Sequence, residues 1–351
     1  MKKNVFVLVL LGLVCMSVMN HSGYAQASSA KPIDLKFAYW PPPVSTPPKM
    51  VFEPWAKKVE QQTNGRVKIT FYGGEALGKA PDHYDLALRG TADISWIDPN
   101  FTPGVFPLVE AIALPMEFPS SDVASAVFWE LMEKYMMNTS FKKVKVLFVH
   151  TTGLFQLFSR KKPVRTLEDL KGMKLAATSP TLSKIIKAMG GVPVFMPEPD
   201  IYTSLERGLL DGRWQEWEGA WVFKMPEVTK YRTANVNLAT NTCVAIMNLD
   251  AWNKLPKDIQ KIFDETTGLA LSRFAGATFD KQCEKHLEII KDYDKKAGKA
   301  EIYYLPHNER ARWVQAVSGV AGEWAAEKEA KGLPAKAVVK DLREAVKKYS
   351  K

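Results

Sequence analysis

Cysteine, histidine and long apolar runs are all scarce in this chain. Only three of its 351 residues are cysteine, too few for a disulfide scaffold or an all-thiolate zinc site. The five histidines, His21, His83, His150, His286 and His307, are dispersed and offer no metal-ligand spacing. His83 beside Asp82 or Asp85 is the one pairing with catalytic character, and a solvated helix start is the stronger reading of it. Gly-x-Ser-x-Gly, Walker, His-Glu-x-x-His and Cys-x-x-Cys motifs are missing, and Gly73-Gly74 and Gly190-Gly191 lack dinucleotide-binding spacing. No catalytic residue, metal or cofactor is therefore expected.

The longest apolar run, Val5 to Val18, follows Lys2 and Lys3 and precedes Ala25-Gln26-Ala27. That order describes a secretory leader cleaved near Ala27, and the run is short for a membrane span. Val14 precedes Cys15 where a lipid-anchoring motif wants Gly or Ala, so simple export is the expectation. Cys243 and Cys283 remain after cleavage and are expected to be buried free thiols rather than a disulfide. The net charge of +10 comes from lysines scattered among acids on helical segments, which reads as a solvated face and not as a nucleic-acid surface.

What the chain does have is short apolar strands alternating with helical periods. Strand patterns lie at Leu35–Trp40, Val67–Phe71, Asp93–Ile97, Val144–Val149, Met173–Ala177, Val192–Met196 and Val244–Leu249, with helices between several of them. Alternation of this kind predicts α/β layers with largely parallel strands. From about Ala251 onward the chain reads as helical, at Trp252–Leu269, Ser272–Ala297, Asn308–Ala330 and Ala335–Tyr349. Thr166-Leu-Glu-Asp169 is a capping box, and Pro199-Asp200 opens a further helix. Ten tryptophans also have to be placed. Trp129, Trp313 and Trp324 fall in amphipathic helices and read as core, and Trp55 and Trp252 lie in helices near the surface. Trp217 and Trp221 are four apart, which makes at least one of them core.

The segments Thr166–Leu175, Met189–Pro197 and Ile201–Gly212 resemble the solute-binding proteins of TRAP transporters, the DctP type. Ala92–Ile97, Phe101–Leu108 and Leu255–Lys261 are similar to the same family, in the same order along the chain. The resemblance implies an α/β, two-lobe periplasmic binding protein of type II-like fold, with a hinge, a long lobe-spanning helix and a helical C-terminal part. It implies lobe I at 28–153 plus 242–281, and lobe II with the C-terminal helices at 154–241 plus 282–351. It further implies a periplasmic receptor that hands a small-molecule solute to the membrane permease subunits of a TRAP transporter; a monomer is the working expectation, which the sequence itself does not decide.

Departures from the family pattern shape the expected site. Ala176 stands where the resemblance places an arginine that grips a solute carboxylate. Glu198 stands near a usual aromatic ahead of the helix that carries Tyr202. Asp211–Glu218 replaces a common Asp-Gly-Gln-Glu-Asn-Pro run and puts Gln215 near the expected asparagine. Asp98 enters a loop that usually presents a small polar residue. Indoles and acids in place of a guanidinium suggest a small organic cation or amino alcohol, such as ethanolamine or choline, held by cation–π contacts. The expected walls are Tyr39, Trp40, Trp96, Trp214 and Trp217, the counter-charges Asp98, Glu198 and Glu216, and the hydrogen-bonding groups Gln156 and Gln215. Trp40 packing on the Pro41-Pro-Pro43 loop, and Glu198 serving only a helix start, are the competing structural readings. The alternative ligand is an aromatic or hydrophobic carboxylate anchored by Arg213 or Arg160.

Overall fold

The computed structural model describes residues 31–299 and 301–351, and the leader read from the sequence lies outside them. Alternation builds the first strand: Leu35 and Phe37 are buried between exposed Asp34 and Lys36. This β1 (Ile33–Ala38) is joined by β2 (Val67–Tyr72), β3 (Ile94–Ile97), β4 (Val144–Thr151) and β10 (Thr242–Asn248) in the order β2-β1-β3-β10-β4. A second sheet takes β5 (Gln156–Ser159), β6 (Lys174–Ala177), β7 (Val192–Phe195), β8 (Gly212–Gln215), β9 (Tyr231–Ala234) and β11 (Tyr303–Tyr304) in the order β11-β9-β5-β8-β6-β7. The seven strands expected from the sequence are all present within a few residues. The expectation of largely parallel pairing needs correction, because β10 runs antiparallel to β3 and β4, and β5 antiparallel to β8 and β9.

Those antiparallel strands belong to the two places where the chain crosses between sheets. Thr152–Phe155 carries β4 into β5, and residues 235–241 return β9 to β10. The two crossings are bonded to each other, Thr152 N–H to Asn241 O at 3.1 Å and Phe155 N–H to Ala239 O at 2.9 Å. Asn235 and Asn237 adopt positive φ there, 62° and 52°, which asparagine tolerates better than most residues.

A third connection is the helix Gly268–Lys296, whose 29 residues extend about 43 Å. It packs against β4 and the helix Ser121–Leu131 on one side and against the helix Trp217–Val222 on the other. Asp280 on this helix accepts the Ser121 and Asp122 N–H groups at 2.8 and 3.1 Å, satisfying orphan donors of the neighbouring helix start. Gly276 makes the approach possible. A Cβ there would lie 2.3 Å from the Ser121 carbonyl oxygen and 2.5 Å from Ser125 Oγ. Helix propensity alone favours alanine over glycine by about 1 kcal/mol. We nevertheless expect Gly276→Ala to lower stability by about 1–3 kcal/mol in urea unfolding, because overpacking against backbone decides the sign. Unchanged stability would show that the two helices can separate freely.

The helical C-terminal part matches its expectation except for two breaks. Leu255-Pro256 divides Leu249–Lys254 from Lys257–Thr266, and residues 317–319 divide His307–Ala316 from Val320–Glu329. The Thr166 capping box is formed with Asp169. Trp313 and Trp324 are fully buried, their indole N–H groups bonded to Glu309 and Glu110 at 3.0 Å each. Trp55 is buried in the first lobe's core rather than near its surface, since its ring meets Phe263 edge-on at 5.6 Å.

Candidate functional site

A cavity of about 50 Å³ lies between the sheets, lined from both of them and from the long helix. Trp40 and Pro41 come from the turn after β1, Trp96 from β3, and Asn241 and Cys243 from the start of β10. From the other sheet come Thr178 after β6, Glu198 after β7, Arg213 and Gln215 in β8, and Glu216 just past it. Phe155, Phe223 and Phe279 add aromatic wall. The C-terminal ends of parallel strands thus converge here, the usual ligand position in open α/β sheets.

Local geometry decides which residues reach the cavity. In β8 successive side chains alternate, so Arg213 and Gln215 point to the cavity while Trp214 points away and packs on Trp313 at 6.1 Å. Consecutive Tyr39 and Trp40 divide likewise. Trp40 lines the cavity, tilted on Trp96 at 5.6 Å and stacked on Phe223 at 6.1 Å. Tyr39 turns into the first lobe's core against Phe37, Phe52 and Phe71.

The charges are arranged differently from expectation. Arg213 is buried and grips Glu198 by two bonds, 2.5 and 2.8 Å, while the Gln215 amide donates to the same carboxylate at 3.2 Å. Ala176 is the register partner of Arg213 across the parallel β6–β8 pair. Arg213 thus presents a guanidinium on the strand next to Ala176, at the same level and on the same face of the sheet.

Asp98 is not at the cavity wall. Its Oδ1 accepts the N–H and the side-chain amide of Asn100, each at 2.9 Å, and its Oδ2 accepts the Asn241 amide at 2.6 Å. Asp98 is thus the cap of the short helix Pro99–Phe101, and burial raises its pKa to about 7. Glu216 does line the cavity, and burial together with repulsion from Glu218 lifts its pKa to about 8. Glu218, which sequence reasoning passed over, accepts the Thr46 N–H at 2.9 Å and so ties the proline-rich loop of the first lobe to the second.

Of the expected site residues, then, Trp40, Trp96, Glu198, Gln215 and Glu216 meet at the cavity, and the others lie elsewhere. Besides Tyr39, Asp98 and Trp214, Trp217 packs edge-on against Phe158 at 5.3 Å in the second lobe's core. Gln156 bonds Leu154 O, Asn237 and the Val236 N–H, stitching the two crossings together. The Tyr202 hydroxyl donates to Glu227 at 3.0 Å, and Ala176 is buried beside Arg213 on the neighbouring strand without lining the cavity. Arg160 packs over Gly208, away from the cavity. Sequence reasoning missed Phe155, Phe223, Phe279 and Asn241. Cys243 and Cys283 are free thiols, as expected.

The profile of bacterial extracellular solute-binding proteins, family 7 (DctP), matches residues 37–328. The chain belongs to this family. It is 25% identical over 300 residues to the C4-dicarboxylate-binding periplasmic protein DctP of Rhodobacter capsulatus, covering 84% of this chain and 87% of that one. The crystal structure of a TRAP solute-binding protein from Rhodoferax ferrireducens T118, with copurified benzoate, is similar at TM-score 0.85 and 28% identity. It covers 91% of this chain and 98% of the other. A marine-metagenome TRAP solute-binding protein, bound to 3-hydroxybenzoate, is similar at TM-score 0.86 and 28% identity over 92% and 100% of the two chains. Family 7 proteins of the TRAP type are periplasmic solute-binding receptors that serve membrane transporters, and the two-lobe fold of this chain is theirs.

Proposed function

We propose that the solute of this receptor is a small aromatic carboxylate, closed between the lobes over the cavity and anchored by Arg213. The observation that carries the reading is the Arg213 guanidinium. It is the one Lys or Arg among the described residues lining the cavity, and it sits in register with the position from which the family resemblance expects the carboxylate clamp. Trp40, Trp96, Phe155, Phe223 and Phe279 supply ring faces and edges for an aromatic body. The Trp40 indole N–H and the Gln215 carbonyl oxygen are buried without a protein partner, which leaves one donor and one acceptor in cavity-lining residues. The benzoate and 3-hydroxybenzoate complexes of the two similar structures support the same class.

The small organic cation suggested by the sequence is set aside because its counter-charges are committed elsewhere. Asp98 is held by Asn100 and Asn241 outside the cavity, Glu216 carries a proton at neutral pH, and Glu198 is balanced by Arg213, a pair that has to open for the guanidinium to turn to a solute carboxylate. Lobe movement is assigned to the bonded crossings at 152–155 and 235–241. Calorimetric titration with benzoate, 3-hydroxybenzoate, choline and ethanolamine tests the reading. Saturable heats are expected from the acids alone, and binding of the amines with none from the acids would overturn it.

A further inference from the structure

We infer that the receptor binds its solute carboxylate with Glu216 as a neutral hydrogen-bond donor in the cavity wall, so that binding at alkaline pH is coupled to uptake of a proton. This rests on the carboxylate reading above and adds to it the protonation state of the site. The basis is an imbalance of groups. Three buried carboxyls, Glu198, Glu216 and Glu218, line a cavity that holds a single guanidinium. Glu198 occupies that guanidinium by its bidentate pair, and Glu218 accepts the Thr46 N–H. Glu216 is left: among the described residues no side chain donates to it, and its one stabilising bond comes from its own backbone.

The groups around Glu216 come from every wall and together do not offset its burial. Glu218 follows it on the helix Trp217–Val222 and Glu198 stands after β7, both repelling an ionised Glu216, while the attraction of Arg213 is shared with its partner Glu198 and is the smaller effect. Cys283 of the long helix and Glu216 crowd the same point beside Gly153, where an added Cβ would lie 2.3 Å from the sulfur and 2.8 Å from Glu216 Cβ. Burial keeps the Cys283 thiol and the Cys243 thiol protonated. His286 of the long helix lies toward Glu218, whose carboxyl it helps to hold as the anion. An ionised Glu216 would face two other carboxyls in a wall shielded from water, so the neutral acid is favoured and its pKa rises to about 8.

A neutral Glu216 and an arriving carboxylate are complementary, since the O–H donates and the anion accepts. Ionised, the same residue would repel the solute. The proton balance follows. Near pH 7 the free receptor already holds the proton, so an anionic solute binds with little further uptake. Above about pH 8 the free receptor has released it, and binding must draw one proton from water. Affinity for an acid then falls by about tenfold per pH unit. An amine would have the opposite sign, expelling the proton and binding more tightly as pH rises.

The test uses the mature protein and benzoate, titrated calorimetrically from pH 6 to 9.5, with two buffers of different ionisation enthalpy at pH 9. A dissociation constant flat to about pH 7, rising about tenfold per unit above pH 8, with uptake approaching one proton per benzoate at pH 9, is the expected result. Glu216→Gln, which cannot ionise, removes that slope whatever its affinity at pH 7, and it separates Glu216 from Asp98, whose titration lies outside the cavity. Benzoate binding that stays constant to pH 9.5 with no proton uptake, or a slope that survives in Glu216→Gln, overturns the inference while leaving the carboxylate reading intact. No benzoate binding at any pH, with choline or ethanolamine bound and a proton released, overturns the carboxylate reading and this inference with it.

Discussion

Replacing Arg213 with methionine is expected to abolish measurable benzoate binding and to lower stability by about 3–5 kcal/mol in urea unfolding. Both effects have one origin. Arg213 and Glu198 are buried partners joined by two short bonds, so removing the guanidinium leaves an uncompensated carboxylate with only the Gln215 amide as donor. Glu198→Gln behaves oppositely towards ligand. It keeps an acceptor oxygen for the guanidinium but removes the competing charge, and affinity for aromatic acids rises several-fold. Were the solute a cation, the same substitution would weaken binding sharply. The double variant Arg213→Met with Glu198→Gln recovers most of the lost stability and none of the binding. Parental affinity in Arg213→Met would remove its role as anchor.

Lys328→Met is expected to cost a similar amount, about 3–5 kcal/mol, without altering benzoate affinity of the folded protein. Lys328 Nζ lies 2.8 Å from Glu110 Oε2, and both side chains are almost fully buried. The Trp324 indole donates to the same oxygen at 3.0 Å, so the pair joins the turn Val109–Ala113 to the helix Val320–Glu329. Losing the ammonium leaves the buried Glu110 carboxyl with the Trp324 indole as its single side-chain donor. Adding Glu110→Gln retains the acceptor for Trp324 and restores most of the stability. Urea midpoints of the two variants decide it, and a single substitution costing less than about 1 kcal/mol would mean that water reaches the pair.

Local rules made much of the fold legible. Leu35 and Phe37 announce β1 by alternation, and Thr166 with Asp169 announces a capping box that the structure contains. The family resemblance supplied the two lobes and the long helix, which no local pattern could assemble. What stayed hidden depended on pairing at a distance. Asp98 reads as a cleft acid until Asn241, far along the chain, is seen to bond it. Asp211–Glu218 reads as a run of functional groups, but Gly212–Gln215 is a strand that can aim only alternate residues at the cavity, so Arg213 and Gln215 reach it and Trp214 does not. The same logic separates Tyr39 from Trp40. Both corrections were available in principle, since two adjacent residues in extended backbone cannot face one cleft together.

The crossings between the sheets also bear on how this chain is made. β10 lies between β3 and β4 in the finished sheet, yet it is the last of that sheet's strands in sequence. Until Asn248 has been synthesised, the first lobe has a gap at a central position and cannot close its hydrogen-bond ladder. The second lobe waits longer, for the long helix and for β11. Neither sheet can complete its ladder from the first half of the chain alone, so both lobes depend on pairing between distant segments, the kind of contact that slows folding.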